Sequence, residues 1–531
     1  MRARIPGAAL ALIASGCAAQ SSQPATRQDA DAVRDRALAA ERKGEVAAAA
    51  DAWLELTRLD PGNPDWTLAA GRCLGMAGRY NDALDHLEAV RSRFPDVLEI
   101  PALIAKTYNL KAESMLAQGV RDQFVTHNLR DAARYAEAVL ARDPAHREAR
   151  LILGQSFYAL GEDDQALAQA QEANQRHPTH PGGAILTAKI WFDRYVRLRE
   201  EHATAKPTGR AEAELLQRTA NARDAARQAL ELALRIDPTR AFPHQRLGAL
   251  FAWQANVAGA LVEYRQALAI DPEATLNHGW IQQNVATEAR LAFYQGALED
   301  YAKTKAPSPK KAATLVWYIA YAQLEKKDWK EAKQNFALAV AANPGYANSR
   351  FYAMLAAFWD GDHDAALVHA ARYAGDAASA FADLIKGLAK NDRDEAQRIL
   401  EFLALRAYKA NHLPASRDLN HVIAFLEEKV EPWNNYAFLC RETGQYEQSL
   451  AAYEHALELE PESPQVLNDA AVILQYHLAT PENLAKARQY YDRALVAADK
   501  MLADPKTSEE QRKLAAQARQ DARGNLAKLR R

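Results

Sequence analysis

Residues 241–272 read AFPHQRLGALFAWQANVAGALVEYRQALAIDP, and the way their apolar positions recur decides the fold. Leu247, Gly248 and Phe251 fall at helical spacing, and so do Ala260, Tyr264 and Ala267. Each set lays an apolar stripe on one face, the signature of a helix buried on one side. A turn separates the two runs. Pro272, which has no backbone N–H to donate, stops the second. The stretch is therefore two short amphipathic helices joined by a turn and closed by a proline.

Counted from Ala241 in a 34-residue register, those anchors and the proline occupy places 7, 8, 11, 20, 24, 27 and 32. The same period links Pro61 to Pro95, Pro144 to Pro178 and Pro238 to Pro272. Residues 30–63 keep Gly44, Ala49, Trp53 and Pro61, and 64–97 keep Gly71, Gly78, Tyr80, Ala83 and Pro95. Residues 147–180 carry Leu153, Gly154, Phe157, Gly161, Ala166, Ala173 and Pro178. The order weakens after Pro272 and returns at 313–346, 347–380 and 430–463, the last with Trp433, Tyr436, Cys440, Gly444, Tyr453 and Pro461. This spacing resembles the tetratricopeptide repeat, a family whose helix pairs stack into a superhelix that binds other proteins. The resemblance implies an all-α fold, an α-solenoid of about eleven helix-turn-helix pairs, some degenerate and some with insertions.

The organisation that follows is an N-terminal repeat array at 30–274, a degenerate aromatic-rich array at 275–429, further pairs at 430–500 and a capping helix at 501–531. The charged insert at 196–217 lengthens two helices and bulges as an exposed loop. At 531 residues the chain is long for one compact core, as an array would be. Its 66 lysines and arginines against 68 acidic residues leave a formal charge of −2, which gives no reason to expect nucleic acid as a partner.

The start of the chain differs from the rest. MRARIPGAALALIASG places two arginines before an apolar run, Ile5 to Ile13, and then small residues, the outline of a signal peptide at 1–16. Ala14-Ser15-Gly16-Cys17 resembles a bacterial lipobox, which implies acylation of Cys17 and a lipid-anchored, outer-membrane protein facing the periplasm. The alternative is a plain cleaved leader with an incidental cysteine. Residues 17–29 are polar and read as a flexible tether. Cys73 and Cys440 sit about ten repeats apart in a solenoid, too far for the ~7 Å a disulfide requires, and read as small core residues.

Chemistry-bearing motifs are scarce. The sequence has no Walker loop, no Gly-x-Ser-x-Gly elbow and no His-Glu-x-x-His helix. His177 and His180 flank a proline stop, Asp362 and Asp364 suit a helix start, and Ser308 and Lys311 lie in a proline-broken loop. The reading is a non-enzymatic chain without cofactor or metal.

What remains is a surface. In the resembled family the first helix of each pair lines the concave groove, chiefly at places 2, 5, 6, 9, 12 and 13. Those places here hold Phe242, Trp253, Trp317, Tyr318, Tyr321, Phe351, Tyr352, Phe358 and Trp359, with Asn348 beside them. Exposed aromatics mark binding hot spots, while aromatics in irregular repeats also serve as packing; both readings stand here. A second set, Asn434, Asn435, Arg441, Gln465, Asn468, Asp469 and Gln475, offers side-chain amides to the backbone of an extended peptide. The lysine–asparagine clamp that chaperone adaptors use is replaced by Arg34, Leu38, Leu68 and Arg72. The expected partner is a protein or peptide, with the membrane reached through the N-terminal lipid; a homo-oligomer closed by the aromatic face is the alternative.

Overall fold

The computed structural model describes residues 27–274, 276–346 and 348–529, so the leader and Cys17 lie outside the described residues. Every regular element among the described residues is helical. Packing divides the chain into two compact units, Met1–Leu250 and Phe251–Arg531, and the division falls inside the stretch quoted first.

The amino-terminal unit contains α1 (Arg27–Lys43), α2 (Val46–Leu59), α3 (Pro64–Met76), α4 (Tyr80–Arg91), α5 (Glu99–Ala117) and α6 (Gln123–Arg142). It continues with α7 (Arg147–Ala159), α8 (Asp163–Arg176), α9 (Gly182–Ala205), α10 (Gly209–Ile236) and most of α11 (Ala241–Trp253). The carboxy-terminal unit begins with the end of α11 and runs through α12 (Val257–Ile270), α13 (His278–Asn284), α14 (Thr287–Ala302), α15 (Pro309–Glu325) and α16 (Trp329–Ala342). Then come α17 (Ser349–Trp359), α18 (His363–Lys386), α19 (Lys390–Lys409), α20 (Leu413–Glu427) and α21 (Val430–Glu442). It closes with α22 (Tyr446–Leu459), α23 (Pro464–Tyr476), α24 (Pro481–Ala503) and α25 (Glu509–Leu529). The described helices form twelve pairs with α25 beyond them.

The proline period has a local cause. Asp60, Asp143, Asp237 and Asp271 each precede the closing proline and cap a B helix, the second of a pair, the last three with extended backbone. A following proline disfavours helical backbone at the residue before it. The freed aspartate side chain then accepts from the amide two residues on, as Asp143 does from Ala145 at 2.9 Å and Asp237 from Thr239 at 3.0 Å. Arginines in or just after the next B helix fasten the turn: Arg93, after α4, donates to the Pro61 carbonyl at 3.1 Å, and Arg493 of α24 to that of Pro461 at 2.8 Å.

Packing follows the register. Tyr264, Phe336 and Tyr453, all at place 24, are among the largest fully or nearly fully buried side chains. In the amino-terminal unit each A helix, the first of its pair, also packs on the next A helix, from α3 through α5 and α7 to α9. Small residues also bring a B helix close to the A helix that follows it: a Cβ on Gly183 of α9 would stand 2.7 Å from the carbonyl oxygen of Ala170 of α8. The same A-on-A packing joins α15 to α17 and α23 to α25 in the carboxy-terminal unit. Each unit is thus an α-solenoid.

Two details differ from the sequence reading. Ser308 does not lie in a broken loop: its hydroxyl accepts from the Lys311 amide, capping α15, and Pro309 takes the first helical position. Proline is preorganised there, so the break read from it is a start. In 377–429, where the sequence shows no clear register, α18 bends at Ala377 and packs on α20 as well as on α17.

Candidate functional site

In the carboxy-terminal unit three A helices, α15, α17 and α19, surround an open groove of about 280 Å³. Tyr321 of α15, Trp329 at the start of α16, and Tyr352 and Trp359 of α17 supply its aromatic wall; α19 brings Asp392 and Glu395. The Tyr321 and Tyr352 rings meet edge to face, 5.3 Å apart and at 87°. The Trp359 indole donates to Glu395 Oε1 at 3.2 Å, tying α17 to α19. Glu325 also borders the groove but is bound by the buried Arg290. Burial, then the neighbouring Tyr321 and the Asp392 carboxylate, push the Tyr352 hydroxyl up to about 12. Burial, helped by the Glu325 and Asp392 charges, raises that of Tyr321.

The remaining aromatics of the expected set have varied surroundings. Trp317, 8% exposed, is core: it stacks on Tyr321 at 5.3 Å and meets Phe336, Tyr346 and Tyr352 edge-on. Phe351, 1% exposed, packs on Phe381 of α18. For Trp317 the packing reading holds, because the seams between successive helices enclose it; Phe351 is as buried and also borders the groove. Tyr318 stacks on Tyr294 at 4.8 Å and on His278 at 3.9 Å, and burial drives His278 down to about 4. Phe358 meets Phe402 of α19 edge-on, and Asn348 accepts from the Tyr373 hydroxyl at 3.1 Å. Phe242 belongs to the amino-terminal unit, beneath the Lys189 and Arg246 cations. Trp253 ends α11 with 37% of its surface exposed.

The amide set separates in the same way. Asn435 is exposed and borders a second groove of about 500 Å³ with Tyr408, Asn420 and Phe438. Asn434 is half-buried, its Oδ1 without a hydrogen-bond partner. Asn468 is buried, and Asn525 of α25 reaches it at 3.5 Å; Gln475 donates to the Asn525 carbonyl. Asn468 and Gln475 thus face α25, which packs on α23 as a further A helix would and covers Asn468. Asp469 beside it is pushed up to about 6 by burial.

Sequence reasoning missed the contribution of α19, since 377–429 offers no register. Asp392, Glu395 and Ala396 of α19, three and four residues apart, nonetheless share a helical face, and with Leu388 just before the helix they border the first groove. The same helix exposes Phe402, Leu405 and Tyr408, and Phe402 and Leu405 line a wider apolar groove of about 930 Å³ between α18 and α20.

The amino-terminal unit has its own groove, about 580 Å³ between α5, α7 and α9. Its charges are largely answered from within. The Tyr158 hydroxyl donates to Asp193, Arg197 pairs with Asp163, and Arg240 holds Asp237 at 2.8 Å. Burial, then the bond to Asp193, raises the Tyr158 hydroxyl.

The other motifs are structural. His177 Nε2 lies 2.9 Å from the Ala145 carbonyl, His180 Nδ1 accepts from the Gly182 amide, and Asp362 caps α18. Cys73 and Cys440 are buried and free; burial and the nearby Glu41 push the Cys73 thiol up to about 12. Among the described residues no three or more His, Cys, Asp or Glu side chains group to hold a metal ion. No described helix is long and apolar enough to cross a membrane.

Two sequence profiles of the tetratricopeptide repeat match the chain, one at residues 6–64, 34–97 and 119–181 and the other at 430–463. No curated protein matches it in sequence. Similar solved structures include a tetratricopeptide repeat protein from Parabacteroides merdae, 13% identical over 62% of this chain and 99% of that one, with a TM-score of 0.32. A thermophilic TPR protein from Thermus thermophilus is 18% identical over 48% of this chain and 99% of its own, at 0.26. The Cut9–Hcn1 hetero-tetramer of the APC/C gives 13% identity over 94% and 96%, at 0.27. The chain carries tetratricopeptide repeats, built into two all-helical units.

Proposed function

We propose that this protein is a non-enzymatic scaffold that captures a protein or peptide in the A-helix groove of its carboxy-terminal unit while a lipid on Cys17 holds it at the bacterial envelope. Repeats of this kind generally serve protein–protein interaction, and their concave faces are the usual binding surfaces. The observation that carries the reading is the convergence of Tyr321, Tyr352 and Trp359 on one open groove. Rings at a groove bury large area at low entropic cost when a partner lands on them. The leader and the Ser-Gly-Cys17 sequence support delivery to the outer membrane, facing the periplasm.

Cross-linked pull-downs from membranes test the capture, comparing the wild type with Trp359→Ala and Tyr321→Ala. Bands that both substitutions remove, with the chain's own mass unchanged in sedimentation, support capture. Bands that persist overturn the groove, and loss of a dimer instead assigns the aromatic face to self-contact. Labelling with radioactive palmitate tests the anchor, which falls if Cys17→Ser labels as the wild type does.

A further inference from the structure

We propose that the groove between α15, α17 and α19 receives one basic side chain, arginine or lysine, of an extended partner peptide. This rests on the capture reading and gives it a chemistry. Asp392 borders the groove and has no ion pair among the described residues. Glu395 accepts the Trp359 indole through one oxygen, which leaves the other for a ligand. Glu325 is neutralised by Arg290, so Lys327 alone stands against the Asp392 and Glu395 charges, and the site is negative on balance.

The aromatic wall suits the same occupant. Tyr321 and Tyr352 stand nearly at right angles, and Trp359 completes the wall beside Glu395. A cation within about 6 Å of an aromatic face is attracted by the ring's negative face, most strongly when desolvated. A guanidinium or ammonium group reaching Asp392 or Glu395 adds charge-assisted hydrogen bonds. At about 280 Å³ the groove takes one long side chain and not a helix. A peptide carboxylate, the other charged ligand a groove of this kind would meet, would face two carboxylates with one lysine to offset them.

Selection of random dodecapeptides displayed on phage against the immobilised full chain tests this, with an Asp392→Asn/Glu395→Gln chain in parallel. Both substitutions keep shape and lie on a solvent-facing part of α19. The expected result is a pool enriched in arginine and lysine from the wild type, and loss of that enrichment from the variant. A synthetic peptide from the pool should bind about tenfold more weakly when its basic residue becomes glutamine, and weaken as salt is raised. Peptides recovered without basic enrichment, or enrichment that survives in the variant, overturn the basic pocket and leave capture standing. Recovery of no peptide that competes with Trp359→Ala-sensitive partners overturns both.

Discussion

The two grooves sit on the same kind of scaffold and differ in how their side chains are satisfied. Between α5, α7 and α9, Arg197, Asp193 and Arg240 each already have a partner on the protein, and the A helices pack one on the next from α3 to α9. Between α15, α17 and α19, Asp392 carries no ion pair among the described residues, and the half-buried rings of Tyr321, Trp329, Tyr352 and Trp359 border open space. Regular stacking uses polar groups to latch neighbouring repeats; irregular stacking leaves some of them for a ligand. The cost of irregularity is that the carboxy-terminal groove depends on a few large buried side chains.

That dependence gives the largest expected effect. Phe336 is fully buried against Trp317 and stacks on Tyr352, which borders the aromatic groove. Phe336→Ala should destabilise the carboxy-terminal unit by about 3–5 kcal/mol in urea denaturation and abolish partner capture. The matching test in the amino-terminal unit is Gly183→Ala, whose Cβ would meet a backbone carbonyl at 2.7 Å. Overpacking of that kind costs about 1–3 kcal/mol, and here it should leave capture unchanged at a temperature where the chain stays folded. Capture lost equally in both variants would end the distinction between the grooves.

A middle-sized effect comes from Asp469, a carboxyl pushed up to about 6 in the folded chain from an ordinary 3.8. Between these values the folded state holds more of the proton than the unfolded state, so stability falls as pH rises. The favourable contribution is complete below about pH 3.8 and lost as pH passes about 6. Asp469→Asn should therefore stabilise the chain by about 2 kcal/mol at pH 7.5 and have little effect at pH 4. Equal stabilisation at both values would mean that Asp469 is not held in a desolvated place beneath α25.

The fold was legible wherever backbone demands repeat. The Asp-Pro stops and the place-24 aromatics each answer a local requirement, and local requirements recur at a fixed period. Site geometry was legible only in part. Tyr321, Tyr352 and Trp359 follow from register, but whether Trp317 faces the groove or the seam depends on how closely two helices approach. Asp392 and Glu395 come from a helix whose position is set by the bend at Ala377 and by packing on α18 and α20, which no spacing encodes. Likewise Asn468 reads as groove-lining from its place in the register alone, whereas α25, which the sequence offers only as a terminal cap, lies across that face.

The smallest effect sharpens the comparison at the turn between A and B helices. In the amino-terminal unit Gly44, Gly78 and Gly161 take this turn with φ of 75°, 76° and 79°, and Lys206 after α9 has a φ of 44°. In the carboxy-terminal unit Gly361 and Gly444 do the same, but Ala255, Lys327 and Asn411 hold φ of 58°, 65° and 60° with a Cβ present. A side chain in the left-handed region crowds the following carbonyl, at about 1–2 kcal/mol, and part of any relief from glycine is offset by its greater freedom when unfolded. Lys327→Gly should thus stabilise the carboxy-terminal unit by about 0.5–1 kcal/mol. The same change removes the one lysine bordering the acidic groove, so a basic peptide should bind a few-fold more tightly, and more so at low salt. Stabilisation without tighter binding would place the Lys327 ammonium outside the field of Asp392 and Glu395; tighter binding without stabilisation would mean that the strained turn relaxes in solution. Ala255→Gly, at a turn whose residue does not border that groove, should reproduce the first effect and lack the second.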